Sequence, residues 1–386
     1  MTKWPLMKNT ITLKDRMKMA WFLLSSSRYT NGPKVKEFEQ RFADWVGTEY
    51  ALMVSSGSTA NFLLLAAVME LHGLKKGDKV VVPACTWVTN VAPVIQLGLT
   101  PIFCDVNLND YSFCHDSLRA IAKKHKDIKV VFTTHLLGYP ANVSALEYIL
   151  PDAIHLNDIC ESHGVSDIYG RKYGGISDYG STFSFYFAHH ITTVEGGMIT
   201  TNNRQLYNLM KIKRSHGMAR EAIYPQKYYK KYPDVDPQFL FVTDGYNFRS
   251  MEINAVLGIE QLKRLPSYIK KRQENVYEFF KMVPLGGKIR NVTYYSNGSN
   301  YGFPMICDSP STKVRLEILL NENGIEYRPI IGGNLLRQPF LEGYGNPEDF
   351  PNAETLHHCG LYIGNNHFVG DKELKILEGI IKEINL

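Results

Sequence analysis

The chain has 386 residues, 44% of them hydrophobic and 12% aromatic, which excludes an intrinsically disordered protein. A net charge of +5 without a Lys/Arg stripe suits an enzyme that handles an anionic ligand and argues against a nucleic-acid binder. Six scattered cysteines (Cys85, Cys104, Cys114, Cys160, Cys307, Cys359), with no CxxC pair among them, read as reduced thiols and point to the cytoplasm.

In chain order, the apolar patch 21–24 is too short and interrupted for a signal peptide, and no later run has membrane-spanning length, so no membrane partner is expected. From residue 50 to about 201, β-rich runs at 50–54, 79–82, 101–105, 129–133, 153–158, 182–186 and 198–201 alternate with helical patterns such as 61–71 and 117–124. That alternation predicts an α/β fold with a mainly parallel sheet sandwiched by helices, whose strand carboxyl ends are the default ligand site. A helix at 204–216 precedes a Tyr/Lys/Pro-rich excursion to residue 238, and helices at 252–265 and 270–282 lead into a mixed segment with helices at 313–321 and 373–384. The division expected is a large domain over 1–265, with an N-terminal segment 1–30, and a smaller α+β domain over 266–386.

Three strings carry chemistry. Ser55-Ser56-Gly57-Ser58-Thr59-Ala60 joins a strand to an apolar helix, where free N–H groups and hydroxyls can bind phosphate, although a capped helix start uses the same residues. Asp158 ends the run before Ile-Cys-Glu161-Ser-His163-Gly164 and could pair with a protonated ring nitrogen or simply cap a turn. Ser184 begins Ser184-Phe-Tyr-Phe-Ala-His189-His190, followed by Glu195-Gly196-Gly197. Adjacent histidines on extended chain face different ways and chelate poorly, so no metal site is expected, while imidazole suits proton transfer near neutrality.

Together these strings resemble the DegT/StrS-type sugar aminotransferases, enzymes of the aspartate-aminotransferase fold (PLP fold type I), over nearly the whole chain. The family pattern SSGT(S)A matches 55–60, and its cofactor-stacking aromatic matches Trp87 in Pro83-Ala-Cys-Thr-Trp87. EDAAQAHG matches 157–164, FSFxxxK…GEGG matches 183–197, and GYNxR matches Gly245-Tyr-Asn247-Phe-Arg249. The resemblance implies pyridoxal phosphate bound by Gly57, Ser58 and Ser184 at its phosphate, by Trp87 on a ring face and by Asp158 at the ring nitrogen. Asn247 resembles the residue that reaches the phosphate from a partner subunit, implying a homodimer with shared active sites.

Two positions depart from the family pattern. Glu161 stands for a Gln beside the cofactor's ring oxygen, and His189 stands for the lysine that anchors the cofactor. Imidazole cannot form that imine, so the cofactor, as pyridoxal or pyridoxamine phosphate, is expected to be held noncovalently. The Lys-to-His change resembles the 3-dehydratases of deoxysugar biosynthesis. One branch acts on GDP-4-keto-6-deoxymannose and regenerates its cofactor with glutamate; the other acts on a CDP-sugar with an iron–sulfur cluster and a reductase. No cysteine lies between His190 and Ile306, so the cluster ligands are lacking there and the GDP-sugar branch is favoured. The expected function is a lyase that turns a nucleotide-linked 4-keto-6-deoxy sugar, with glutamate, into a 3-deoxy-4-keto sugar plus ammonia, as in O-antigen lipopolysaccharide biosynthesis. His189 is the expected catalytic residue, and Arg220, Arg328 and Arg337 are candidates for the diphosphate, since Arg binds phosphate in bidentate fashion. The alternatives are a CDP-sugar dehydratase without a cluster, a sugar aminotransferase and a non-catalytic ligand-binding homologue.

Overall fold

The structure, a computed structural model, describes residues 3–177, 179–290 and 293–386. Seven strands form the main sheet: β1 (Tyr50–Val54), β2 (Lys79–Pro83), β3 (Thr100–Cys104), β4 (Ile128–Thr134), β5 (Ile154–Asp158), β6 (Ser181–Ser184) and β7 (Gly197–Thr201), in the order β1-β7-β6-β5-β4-β2-β3. These are the seven runs read from the sequence, with ends displaced by one or two residues. All neighbouring pairs are parallel except those of β7, which runs antiparallel to both β1 and β6.

Side-chain alternation explains how the sheet is covered on both faces. On β1, Leu52 and Val54 enter one apolar cluster with Val80, Val82, Phe132 and Leu156, while Ala51 and Met53 enter another with Phe38, Phe42 and Phe183. The helix Gly57–Leu71 is apolar nearly all round because it lies between the sheet and the helix Arg204–Arg214. The Tyr/Lys/Pro-rich excursion contains a short helix, Gln226–Lys231, with no buried residue.

A second sheet of three antiparallel strands follows: β8 (Gly302–Ile306), β9 (Tyr327–Pro329) and β10 (Gly360–Gly364), in the order β8-β10-β9. The helices Leu265–Met282, Pro310–Glu322 and Asp371–Asn385 contribute to its apolar core, which also takes in Ala84, Leu136, Leu137 and Tyr139 from the loops of the main sheet. The chain start docks here as well: Trp4 Nε1 donates to the Gly364 carbonyl at 2.9 Å.

One buried ion pair ties the helices Pro33–Val46 and Arg204–Arg214 to β1. Arg214 Nη1 donates to Glu39 Oε1 at 2.8 Å and to the Met53 carbonyl at 2.6 Å, and Glu39 Oε1 also accepts from the Met53 N–H at 2.8 Å. Arg214→Met would leave Glu39 buried without its cation, and a destabilisation of about 3–5 kcal/mol in urea unfolding is the expected outcome.

Candidate active site

Strand register brings the separate sequence strings to one edge. Val54 and Ser184 both pair with Gly197, so the ends of β1 and β6 meet across the start of β7. Thr182 pairs with Asp158 and Asp158 with Thr134, which continues the same edge through β5 and β4. The strands β1 to β6 all run toward it, so their carboxyl ends, and the loops that follow, surround one crevice.

At the β1 end, Ser56 caps the helix Gly57–Leu71, its Oγ accepting from the Thr59 N–H, and Thr59 Oγ1 accepts from the Ser56 N–H. The capping box explains the Ser and Thr, and it leaves the Gly57 and Ser58 N–H groups at the helix start for an anion. Gly57 is there because of space: a Cβ would lie 2.6 Å from Ser184 Cβ and 3.1 Å from Ser184 Oγ. At Gly197 a Cβ would collide with the Ser56 carbonyl. The two glycines let β6 and β7 close on the helix start, placing the Ser184 hydroxyl beside Gly57.

Asp158 is buried, and its oxygens accept from Asn61 Nδ2 at 2.8 Å and from the Cys160 N–H at 2.9 Å. Asn61 Oδ1 in turn accepts from Thr182 Oγ1 at 2.6 Å. Among the described residues no ion pair includes Asp158, so it is a buried carboxylate awaiting a cation, which suits a protonated pyridine nitrogen. Asn61 went unnoticed in the sequence, although it follows Gly57 by four residues and therefore shares its helix face.

Trp87 is more than half exposed, and its loop is tied to the crevice. Thr86 Oγ1 bonds Thr134 Oγ1 at 2.8 Å and Asn90 at 3.0 Å, which fixes the residue before Trp87 beside the strand that pairs with Asp158. Glu161, across the loop, accepts from the Leu137 N–H at 2.9 Å. Desolvation, with a smaller contribution from Asp158, pushes its carboxyl up to about 7, so a large protonated fraction persists near neutrality.

His189 hangs from the loop after β6, its N–H donating to the Tyr186 carbonyl at 3.0 Å. Its ring approaches the Ser184 and Cys160 carbonyls, lies edge-on to Tyr301 at 5.7 Å, and keeps a buried Nδ1 without a protein partner. Burial drives its pKa down to about 4, well below the ordinary imidazole value, so the resting ring is neutral. His190 is fully buried beside it, and its Nε2 meets the Ser299 carbonyl at 2.9 Å.

Asn247 is exposed. Tyr246 and Phe248 stack at 4.8 Å and both pack on Phe62, so the side chain between them faces outward. The arginines are less convergent. Arg328 lies opposite Tyr362 in the small sheet and bonds Glu326 at 2.8 Å. Arg337 is held by both oxygens of Glu354, and Arg220 is exposed on the turn Ala219–Glu221. None of the three bonds to Gly57, Asp158, Ser184 or His189. Among the described residues no group of three or more His, Cys, Asp or Glu could hold a metal ion, and no helix is long and apolar enough to cross a membrane.

Comparison with known proteins decides the lineage of this crevice. A family profile described as the DegT/DnrJ/EryC1/StrS aminotransferase family matches residues 11–380. The chain belongs to that family. It is 36% identical over 376 residues to the GDP-4-keto-6-deoxy-D-mannose 3-dehydratase of Yersinia pseudotuberculosis, covering 94% of each chain. The solved E. coli GDP-4-keto-6-deoxy-D-mannose-3-dehydratase with bound hydrated PLP superposes with a TM-score of 0.90 at 32% identity, covering 99% of this chain and 100% of that one. A structure of GDP-4-keto-6-deoxymannose-3-dehydratase with a trapped PLP-glutamate geminal diamine also matches with a TM-score of 0.90 at 32% identity, over 98% and 100%. The fold is PLP fold type I, the cofactor is pyridoxal phosphate or its amine form, and the helix start and uncompensated carboxylate fit that group.

Asn61→Leu tests the hydrogen bonds around Asp158. The carboxylate loses a donor and Thr182 an acceptor, and cofactor fluorescence titration should show affinity falling by about 10-fold or more, the value of a hydrogen bond to a charged group, with the far-UV dichroism kept.

Proposed function

We propose that this chain is a lyase, a 3-dehydratase of a nucleotide-linked 4-keto-6-deoxy sugar, with GDP-4-keto-6-deoxy-D-mannose as substrate and glutamate as amino donor. The observation that carries this reading is the His189 imidazole at the anchoring-lysine position, beside Ser184, while Asp158 and the helix start at Gly57 are retained. The near-complete match to GDP-sugar 3-dehydratases, and the PLP-glutamate adduct in one of them, support the substrate and the amino donor.

When bound, the cofactor supplies an amino group that condenses with a carbonyl and a ring that accepts an electron pair. Gly57 and Ser58 N–H groups, with the Ser184 hydroxyl, bind its phosphate. Trp87 covers one ring face, and Asp158 accepts the ring N–H and keeps the ring electron-poor. Glu161, holding a proton on its carboxyl, donates to the ring oxygen. His189, neutral at rest, takes a proton from the carbon that bears the amino group. With a pKa near 4 the resulting imidazolium is a strong acid, and it passes the proton to the sugar's C3 hydroxyl oxygen, which leaves as water. Hydrolysis then frees a 3-deoxy-4-keto sugar and ammonia, and glutamate, oxidised to 2-oxoglutarate, has supplied the electrons.

The outward Asn247, together with exposed Phe239, Phe241 and Met251 around its loop, supports a homodimer in which Asn247 reaches the partner's phosphate site. Arg220, Arg328 and Arg337 are proposed for the diphosphate, with Arg328 favoured by its place opposite Tyr362. A division into 1–265 and 266–386 and a cytoplasmic location complete the proposal.

Two measurements test it. Borohydride reduction of the resting enzyme should leave no lysine carrying the cofactor, and one modified lysine at a defined site would show that the anchor lies elsewhere. His189→Asn should keep cofactor binding and slow loss of water from the GDP-sugar by ~10²–10⁴, followed by mass spectrometry with glutamate present. Near-native turnover in that variant together with an inactive His190→Asn would move the base to the next residue.

A further inference from the structure

A base has to be aimed at its proton, and the side chains around His189 show what aims it. Among the described residues no carboxylate and no other side chain hydrogen-bonds its ring, and Nδ1 is buried without a partner. The ring is instead enclosed by other rings. Tyr186 lies at 6.0 Å and 88°, Tyr301 at 5.7 Å and 70°, and His163 at 6.4 Å and 77°, between centres and between planes. Near-perpendicular packing of this kind is a favoured aromatic geometry, so it restrains the plane of the imidazole.

The three neighbours differ in how they are held. Tyr186 belongs to the His189 loop, accepts its N–H and is about half exposed, so it is no outside reference for the ring. His163 has neither ring nitrogen bonded. Tyr301 is fixed from three directions. Its N–H donates to the Leu137 carbonyl at 2.9 Å, on the loop after β4. Its carbonyl accepts from the Asn365 N–H at 3.1 Å, just after β10, and from Arg272 Nη1 at 3.4 Å, on the helix Leu265–Met282. Arg272 is 3% exposed and also donates to the Asn365 carbonyl, which locks the two anchors together. Gly138, with a φ of +86°, lets the segment 299–301 lie flat on its loop, since a Cβ there would collide with the Ser299 carbonyl and Asn300 Cα. The Tyr301 ring also packs on Tyr362 of β10 at 6.1 Å.

We propose that Tyr301 is a positioning residue for the dehydration: its ring, anchored independently of the His189 loop, sets the plane of the His189 imidazole. The inference rests on the reading of His189 as the base. A carboxylate in this role would raise the imidazole pKa, whereas Tyr301, held well above the ordinary phenol range by burial, stays neutral and orients the ring without adding charge. Proton removal depends on alignment as much as on distance, so a slightly turned imidazole is a poor base.

The holoenzymes of wild type, Tyr301→Leu and Tyr301→Phe should be compared by kcat and KM with the GDP-sugar and glutamate, by cofactor titration, and by histidine-ring NMR assigned with His189→Asn. Tyr301→Leu should lower kcat by ~10–100-fold while KM and cofactor affinity stay within about twofold, the mark of a loss felt in the transition state alone. Tyr301→Phe, which keeps the ring, should recover kcat to within about threefold of wild type. In a His189→Asn background Tyr301→Leu should cost nothing further, because Tyr301 acts through the missing imidazole. In wild type the His189 ring should give one sharp signal with an NOE to the Tyr301 ring, and in Tyr301→Leu that signal should split or broaden. Absence of the NOE in wild type overturns the proposal even if no variant folds. So does an equal fall in kcat in both backgrounds, which is what a merely structural role produces. Near-native turnover by His189→Asn overturns the reading of the base and this role with it, whereas an inactive His189→Asn beside a fully active Tyr301→Leu overturns the Tyr301 role alone.

Discussion

Asp158 is a carboxylate in the interior with only neutral donors, and much of the molecule is arranged to tolerate it. Its place is dictated by β5, which must end between β4 and β6 for the sheet to be continuous. Its partners come from elsewhere: Asn61 from the first turns of the Gly57–Leu71 helix and the Cys160 N–H from its own turn. The Asn61 amide is oriented because its oxygen is taken by Thr182, one strand over. The same helix that steadies Asp158 also offers its N-terminus to a phosphate. One element therefore ties the helix start at Gly57 to the Asp158 carboxylate.

The imidazole changes what that site can do. A lysine would hold the cofactor covalently and compete for it after each cycle, returning nitrogen to the sugar. In the proposed function, His189 leaves retention to the phosphate cradle, Trp87, Asp158 and Glu161, and is free to serve proton transfer alone. Its depressed basicity suits a cycle in which the proton is borrowed briefly and then passed to a poor leaving group, because a weaker base forms a stronger acid. Glu161 is displaced in the opposite direction, up to about 7, so burial reverses the ordinary order of carboxyl and imidazole in this site.

Much of this was legible in the sequence where it was local. The seven main strands are short β-rich runs bounded by turns, and each was found within two residues because hydrophobic run length is a local property. The strings around Gly57, Asp158 and Ser184 stood out because a strand end followed by small or polar residues is itself the signal. Asn61, Tyr301 and Arg272 were not legible. Asn61 sits in an apolar helix where one polar residue reads as an exception, and Tyr301 and Arg272 are one Tyr and one Arg among many. Tyr301 reaches His189 because Ser299 N–H bonds the Gly138 carbonyl and Tyr301 N–H the Leu137 carbonyl, joining the segment before β8 to a loop more than 150 residues earlier. No periodicity announces such a contact.

That junction also explains why polar groups gather where a core would ordinarily be apolar. The interior around it contains His163 with neither ring nitrogen bonded, Nδ1 of both His189 and His190, and Arg272 Nε, all buried without partners. Each unsatisfied group costs about 1–3 kcal/mol relative to a well-bonded or apolar replacement. A core selected for stability alone would discard them. Their concentration around His189 makes this corner of the interior unusually polar. The segment that leads into the C-terminal sheet thus belongs to this polar corner as well as to the apolar core, through Tyr301.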